Sequence, residues 1–301
     1  MHPPFFSATR RLLIAFKIGR RHALALLLPL ALGATLASAQ TELKDLAKIQ
    51  ASGVLKVAVY KENAPFSDGR TTDMSGLDID IAQALARQMQ LKLALLPFDA
   101  GENMNDDLRN MVWRGHYLGY GPADIMLHVP VDKYLMQQNS RVLILAPYMR
   151  QVQVLLHDTR TLPQVQGPDD LKGVNLAVER GTGNASVLMG HNAGMLRAQV
   201  HLYNSGTQAA QAVVDGNAAA AYVMSAQAES VLSRVKSEPD RWALTAMPLA
   251  GIPANGWPLG MAIKSDAKDL GQAVETALQA LRASGELLAI FKQHGVTLTA
   301  P

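Results

Sequence analysis

Glu179, Asp132 and His128 are the side chains of this 301-residue sequence best suited to acid–base work. A carboxyl of raised pKa and an imidazole base could serve a small-acid lyase or dehydratase, with Glu179 or Asp132 as the acid and His128 as the base. Asp78 and Asp80 flank Ile79 at the start of an expected helix. Acids there favour the positive end of the helix dipole, so dipole and packing account for this pair without chemistry. Gly181-Thr182-Gly183-Asn184 precedes a second helix and would offer backbone N–H groups to an anion such as a carboxylate. A plain strand-to-helix turn would need the same glycines. Tyr60 and Asn63 share a loop with Pro65-Phe66, which either faces a ligand or packs as a core turn. Trp113, His116, Tyr117 and Tyr120 form either a partner surface, since Trp and Tyr join area to a polar tip, or a loop packed on its own lobe. The histidines His116, His128, His157, His191, His201 and His294 show no metal-ligand spacing, and there is no cysteine, so no metal is expected. No nucleophile elbow, P-loop or dinucleotide fingerprint is present, so no cofactor is expected either.

The elements that must position these groups alternate. An amphipathic opening through Leu43, Leu46 and Ile49 leads to an apolar run at residues 54–59 that predicts a buried strand. Ile81, Leu85 and Met89, one turn apart, predict a helix, and residues 91–98 predict a second strand. Such a βαβ unit implies a parallel sheet. Residues 107–113 read as a helix and 123–127 as another buried strand. The same grammar then repeats, with strands at 152–156, 174–178 and 218–223, helices from Ala185 and at 207–214, and a closing strand and two helices at 259–263, 270–281 and 286–293. The only candidate crossings lie near residues 146–151 and 251–258. The expected fold class is therefore α/β: two lobes of parallel-rich sheets flanked by helices, with a ligand cleft between them.

Charge bears on partners. The formal net charge is +3, from 28 basic and 25 acidic residues, yet residues 1–39 carry five of the basic ones and no acid. Without that segment 23 basic residues face 25 acidic, a balance of −2 that gives no net field to recruit nucleic acid. The segment reads as a cleavable export signal, with a basic stretch ending at Arg20-Arg21, an apolar run at 23–36 broken by Pro29 and Gly33, and a small-x-small site at Ala37-Ser38-Ala39. That run is short of the roughly 20 apolar residues a spanning helix wants. Cleavage after Ala39 would leave Gln40 first, and no cysteine follows to carry a lipid anchor. Thr9-Arg10-Arg11 is a loose twin-arginine match, so the export route stays open between two pathways.

Four stretches, in order, resemble periplasmic solute-binding proteins of family 3, the amino-acid class. They are Gly53-Val54-Leu55-Lys56-Val57 with Ala64-Pro65-Phe66; Gly76-Leu77-Asp78-Ile79-Asp80-Ile81-Ala82; Asp170-Leu171-Lys172-Gly173 with Arg180-Gly181-Thr182; and Leu259-Gly260-Met261-Ala262-Ile263-Lys264 with Gly285 and Phe291-Lys292. The resemblance implies a two-lobe type II binding fold, with lobe one at 40–150 plus 257–301 and lobe two at 151–256. It implies a periplasmic monomer that binds a small molecule, is not an enzyme, and hands its solute to an ABC transporter permease. Tyr60, Asn63, Phe66, His128, Lys133, Thr182, Gly183 and Asn184 are the ligand residues this predicts.

Two departures qualify the ligand. Where the family holds an α-carboxylate with Arg, this sequence has Lys133, a point charge without the planar fork. Where the family often carries Asp for the α-ammonium, it has Ala219 and Met224. A buried ion without a partner is costly, so a solute other than an amino acid is expected. The stretch 105–124, rich in aromatics and glycine, and Val129-Pro130 resemble the branch encoded with PQQ-dependent methanol and other alcohol dehydrogenases. That implies an alternative role as an accessory protein engaging a periplasmic quinoprotein dehydrogenase or its cytochrome through Trp113, His116, Tyr117 and Tyr120.

Overall fold

The computed structural model describes residues 45–69 and 72–301. The expected export signal, its cleavage site and Leu43 lie outside the described residues.

Helix α1 (Asp45–Ser52) leads into β1 (Val54–Tyr60), whose side chains are buried on both faces along most of its length, as a central parallel strand requires. Next come α2 (Leu77–Gln88), β2 (Lys92–Phe98) and α3 (Met104–Leu108). The sequence predicts one helix over 107–113; the chain instead widens into a π turn at Arg109–Trp113, closed by Arg114 N–H donating to the Arg109 carbonyl at 2.9 Å. The wider turn keeps Met111 and Val112 in the core. Then follow β3 (Ile125–Pro130), α4 (Lys133–Gln138) and β4 (Val142–Gln151). After the single residue Val152 the chain enters β5 (Gln153–Asp158), then β6 (Leu176–Glu179), α5 (Gly183–Gly194), β7 (Val200–Tyr203), α6 (Gly206–Val214), β8 (Ala220–Met224), α7 (Ser225–Leu232) and β9 (Trp242–Thr245). It returns through β10 (Trp257–Lys264) and ends in α8 (Lys268–Ala283) and α9 (Glu286–Gln293).

The strands form two five-stranded sheets, ordered β2-β1-β3-β10-β4 and β7-β6-β8-β5-β9. In each, the first three neighbours run parallel and the fourth is antiparallel to them. The α/β two-lobe architecture expected from the alternating pattern is thus present. Helix α8 shows why the pattern was readable: Leu270, Val274, Ala277, Leu278 and Leu281 put one buried stripe against the first sheet's core.

Where the chain passes between the sheets its backbone is pressed against itself. A Cβ at Gly256, where φ is +61°, would lie 1.7 Å from the Gln151 carbonyl oxygen, so the two crossings touch. A second close approach joins Gly295, after α9, to Ser233, after α7, where a Cβ would come within 2.3 Å of the Ser233 side chain. Gly216, by contrast, also has positive φ (+76°) but open space around its missing Cβ. Gly216→Ala should therefore cost only the left-handed penalty of about 1 kcal/mol. Gly256→Ala should cost at least about 2 kcal/mol more, because backbone must move. Urea denaturation of both variants checks this; equal losses would mean the crossings are not in contact.

Candidate functional site

Ligands of sheets like these settle beyond the carboxyl ends of parallel strands. There, the ends of β1, β3 and β6 supply Tyr60, His128 and Glu179, which line a cavity of about 330 Å³ together with Lys61, Glu62, Asn63, Met104, Gln151 and Trp257. This lies within the usual size range of small-molecule pockets. All but Glu179 come from the first sheet, its loops or the crossing at Gln151, so Glu179 is the second sheet's contribution. A larger depression of about 540 Å³ lies over α1, α2 and α8, away from the strand ends and lined in part by Gln50, Gln88, Gln90, Asp269 and Gln272.

His128 is placed by an irregularity in the sheet. Met126 pairs with Ala262 and Val129 with Gly260, so Leu127 and His128 together face Met261 alone, and His128 takes a left-handed backbone with φ +62°. Its Nδ1 lies 3.0 Å from Asp78 Oδ2. Asp78, 1% exposed, also accepts from the Tyr148 hydroxyl at 2.8 Å. Tyr148 stands in a second irregularity, where Leu259 pairs with Met149 and Met261 with Leu145. Both partners of Asp78 thus sit in distorted strands on either side of Gly260, where a Cβ would lie 2.6 Å from the Leu145 carbonyl oxygen. Burial, then the nearby Asp78 carboxylate, pushes the Tyr148 hydroxyl well above its usual pKa, so it stays a donor.

Tyr60 repeats this arrangement. Its hydroxyl donates to Asp107 Oδ2 at 2.7 Å, while Asp107 Oδ1 accepts the Gly101 N–H at 2.7 Å. Burial and the Asp107 charge raise the Tyr60 hydroxyl well above its usual pKa. Burial also lifts the Asp107 carboxyl, against the hydrogen bonds from Tyr60 and Gly101. Glu179 Oε2 accepts from Gly206 N–H at 2.9 Å, at the start of α6, and from Gln227 Nε2 at 3.2 Å, at α7. Burial pushes its carboxyl up, opposed by those same two donors.

Of the expected ligand residues, Tyr60, Asn63 and His128 line this cavity. Phe66 does not: it is 0% exposed, with its ring centroid 4.4 Å from that of His128, so the Pro65-Phe66 turn packs as a core turn against the imidazole. Lys133 is exposed at the first position of α4 and is not among the lining residues. Thr182, Gly183 and Asn184 begin α5 and are likewise absent from the lining. Thr182 Oγ1 caps that helix itself, accepting from Ala185 N–H at 3.2 Å, and buried Asn184 accepts from Gln153 Nε2 at 3.4 Å. Asp132 caps α4, accepting from Leu135 N–H at 2.7 Å, so of the two expected acids it is Glu179 that shares the cavity with His128. Asp78 has a role beyond the helix dipole, since it holds His128. Among the described residues no group of three His, Cys, Asp or Glu could hold a metal ion.

The aromatic stretch divides. Trp113 is half-buried with the Arg141 guanidinium 4.7 Å above its ring, and His116 stacks on Tyr120 at 4.3 Å. Tyr117 and Leu118 at the tip of the turn are 87% and 68% exposed. Trp113 thus packs in part against its own lobe, and Tyr117 and Leu118 are the most exposed side chains of the stretch.

No protein-family model matches the sequence, and no curated protein matches it. Solved structures do. An ancestral cationic amino acid solute-binding protein, AncCDT-1, aligns with 82% of this chain and 98% of its own at 22% identity and a TM-score of 0.64. An amino acid ABC transporter substrate-binding protein from Streptococcus pneumoniae, bound to L-arginine, aligns over 85% and 100% at 19% identity and 0.60. The holo arginine-binding protein of T. maritima aligns over 82% and 98% at 18% identity and 0.52. At these identities the likeness establishes the two-lobe fold.

Removing the Tyr148 hydroxyl would leave Asp78 Oδ1 buried without its donor. Tyr148→Phe should destabilise the protein by about 1–3 kcal/mol, measured by urea denaturation. A change below about 0.5 kcal/mol would show that Asp78 does not depend on Tyr148.

Proposed function

We propose that the protein is a solute-binding protein of the family 3 type, exported to the periplasm, that captures a small solute between its lobes for an ABC transporter permease and does not turn it over. The observation that carries this is the cavity at the strand ends, where first-sheet side chains meet Glu179 of the second. A ligand touching both would favour closure by the difference in its contacts between open and closed states. The structural neighbours named for solute binding share the fold. Among the described residues no helix is long and apolar enough to cross a membrane, in keeping with an exported body.

A second reading rests on the exposed tip Tyr117-Leu118: contact with a PQQ-dependent alcohol dehydrogenase or its cytochrome. Binding of the purified protein to such a dehydrogenase, lost in a Tyr117→Ser/Leu118→Ser variant, would favour it. Absence of binding in the unaltered protein removes it.

The solute-binding proposal predicts that a thermal-shift screen of amines, amino acids, organic acids and alcohols yields at least one solute that raises Tm. The same solute should contract the protein in solution scattering and change the fluorescence of Trp257, which lines the cavity. No hit across the screen would overturn the proposal.

A further inference from the structure

Three groups at the strand ends present acceptors to the cavity, beside Lys61, Trp257 and the amides of Asn63 and Gln151, which can donate. Tyr60 gives its only proton to Asp107, so its oxygen faces a ligand with lone pairs. His128 gives its Nδ1 proton to Asp78, so in the neutral ring Nε2 is a lone pair. Glu179 engages Oε2 with two donors and leaves Oε1 without a hydrogen-bond partner among the described residues. In each case a buried partner fixes the direction: Asp78 and Asp107 take the protons, and Gly206 and Gln227 hold the carboxylate.

The charges agree with the hydrogen bonds. Lining residues of formal charge are Lys61, Glu62 and Glu179, one base against two acids, which sums to −1. Lys61 already pairs with Asp99 at 3.0 Å. Lys133, the other candidate for a carboxylate, is not among the lining residues. Tyr60 and Trp257 add aromatic surface, which suits a cation.

We propose that the solute is a small organic cation whose charge lies on N–H groups, an amine or guanidine, and that it carries no carboxylate. Its N–H groups would donate to Glu179 Oε1, His128 Nε2 and the Tyr60 oxygen, joining the two lobes through the cation. A carboxylate in the same solute would meet a net negative wall whose one cation, Lys61, is already paired with Asp99, leaving it only the neutral donors of Asn63, Gln151 and Trp257, and would be disfavoured. This rests on the solute-binding proposal above and narrows it.

Calorimetric titration of the full chain with matched pairs, agmatine against L-arginine and cadaverine against L-lysine, tests it. At least one amine should bind about 100-fold tighter than its parent amino acid, and Glu179→Gln should weaken that amine about tenfold or more. A melting curve of Glu179→Gln separates a lost contact from a lost fold, and Glu62→Gln at the exposed rim serves as a second variant with an expected loss of a few fold. Equal or tighter binding of the amino acids overturns the inference and leaves solute binding standing. So does a solute from the broad screen that is anionic or neutral, with the amines silent. Silence of every compound overturns both.

Discussion

A carboxylate buried from water must be answered by donors, and Asp78 is the one on which the first lobe's side of the site depends. It begins α2, receives the Tyr148 hydroxyl from β4 and faces the His128 imidazole on β3, so a helix and two strands converge on it. The strands must distort to bring those donors in, and Gly260 lies between the distortions because a side chain there would strike the Leu145 carbonyl. Phe66 packs against the imidazole, and the ring it supports is left with one nitrogen for the cavity.

The rest of the site is built by the same economy of donors. Asp107 fixes Tyr60 as Asp78 fixes His128, and the start of α6 with Gln227 on α7 fixes Glu179. None of these supporting groups lines the cavity, yet together they fix how Tyr60, His128 and Glu179 face it. The hydrogen-bonding character of these three cavity groups is therefore set one layer back from the cavity, by partners that are themselves buried.

Much of the fold was legible in the sequence. β8 is a continuous apolar run and β1 is one but for Lys56, and α8 and α9 have clear helical stripes, because buried strands and amphipathic helices leave those marks. β7 and β9 left none: each is four residues at a sheet edge with no fully buried side chain, so there is no apolar run to find. The site was legible only in part. Tyr60, Asn63 and His128 follow strands whose ends could be anticipated, whereas Phe66 is core and Lys133 is on a helix surface. Tyr148 and the role of Asp78 left no local signal, since their contact joins residues seventy apart through strand irregularities that no periodicity encodes.

Of the two close approaches, Gly256 to Gln151 lies within the crossings themselves, while Gly295 to Ser233 joins the end of α9 to the end of α7. The second is the one that bears on motion. Any turning of one lobe on the other must either pivot at that contact or part it.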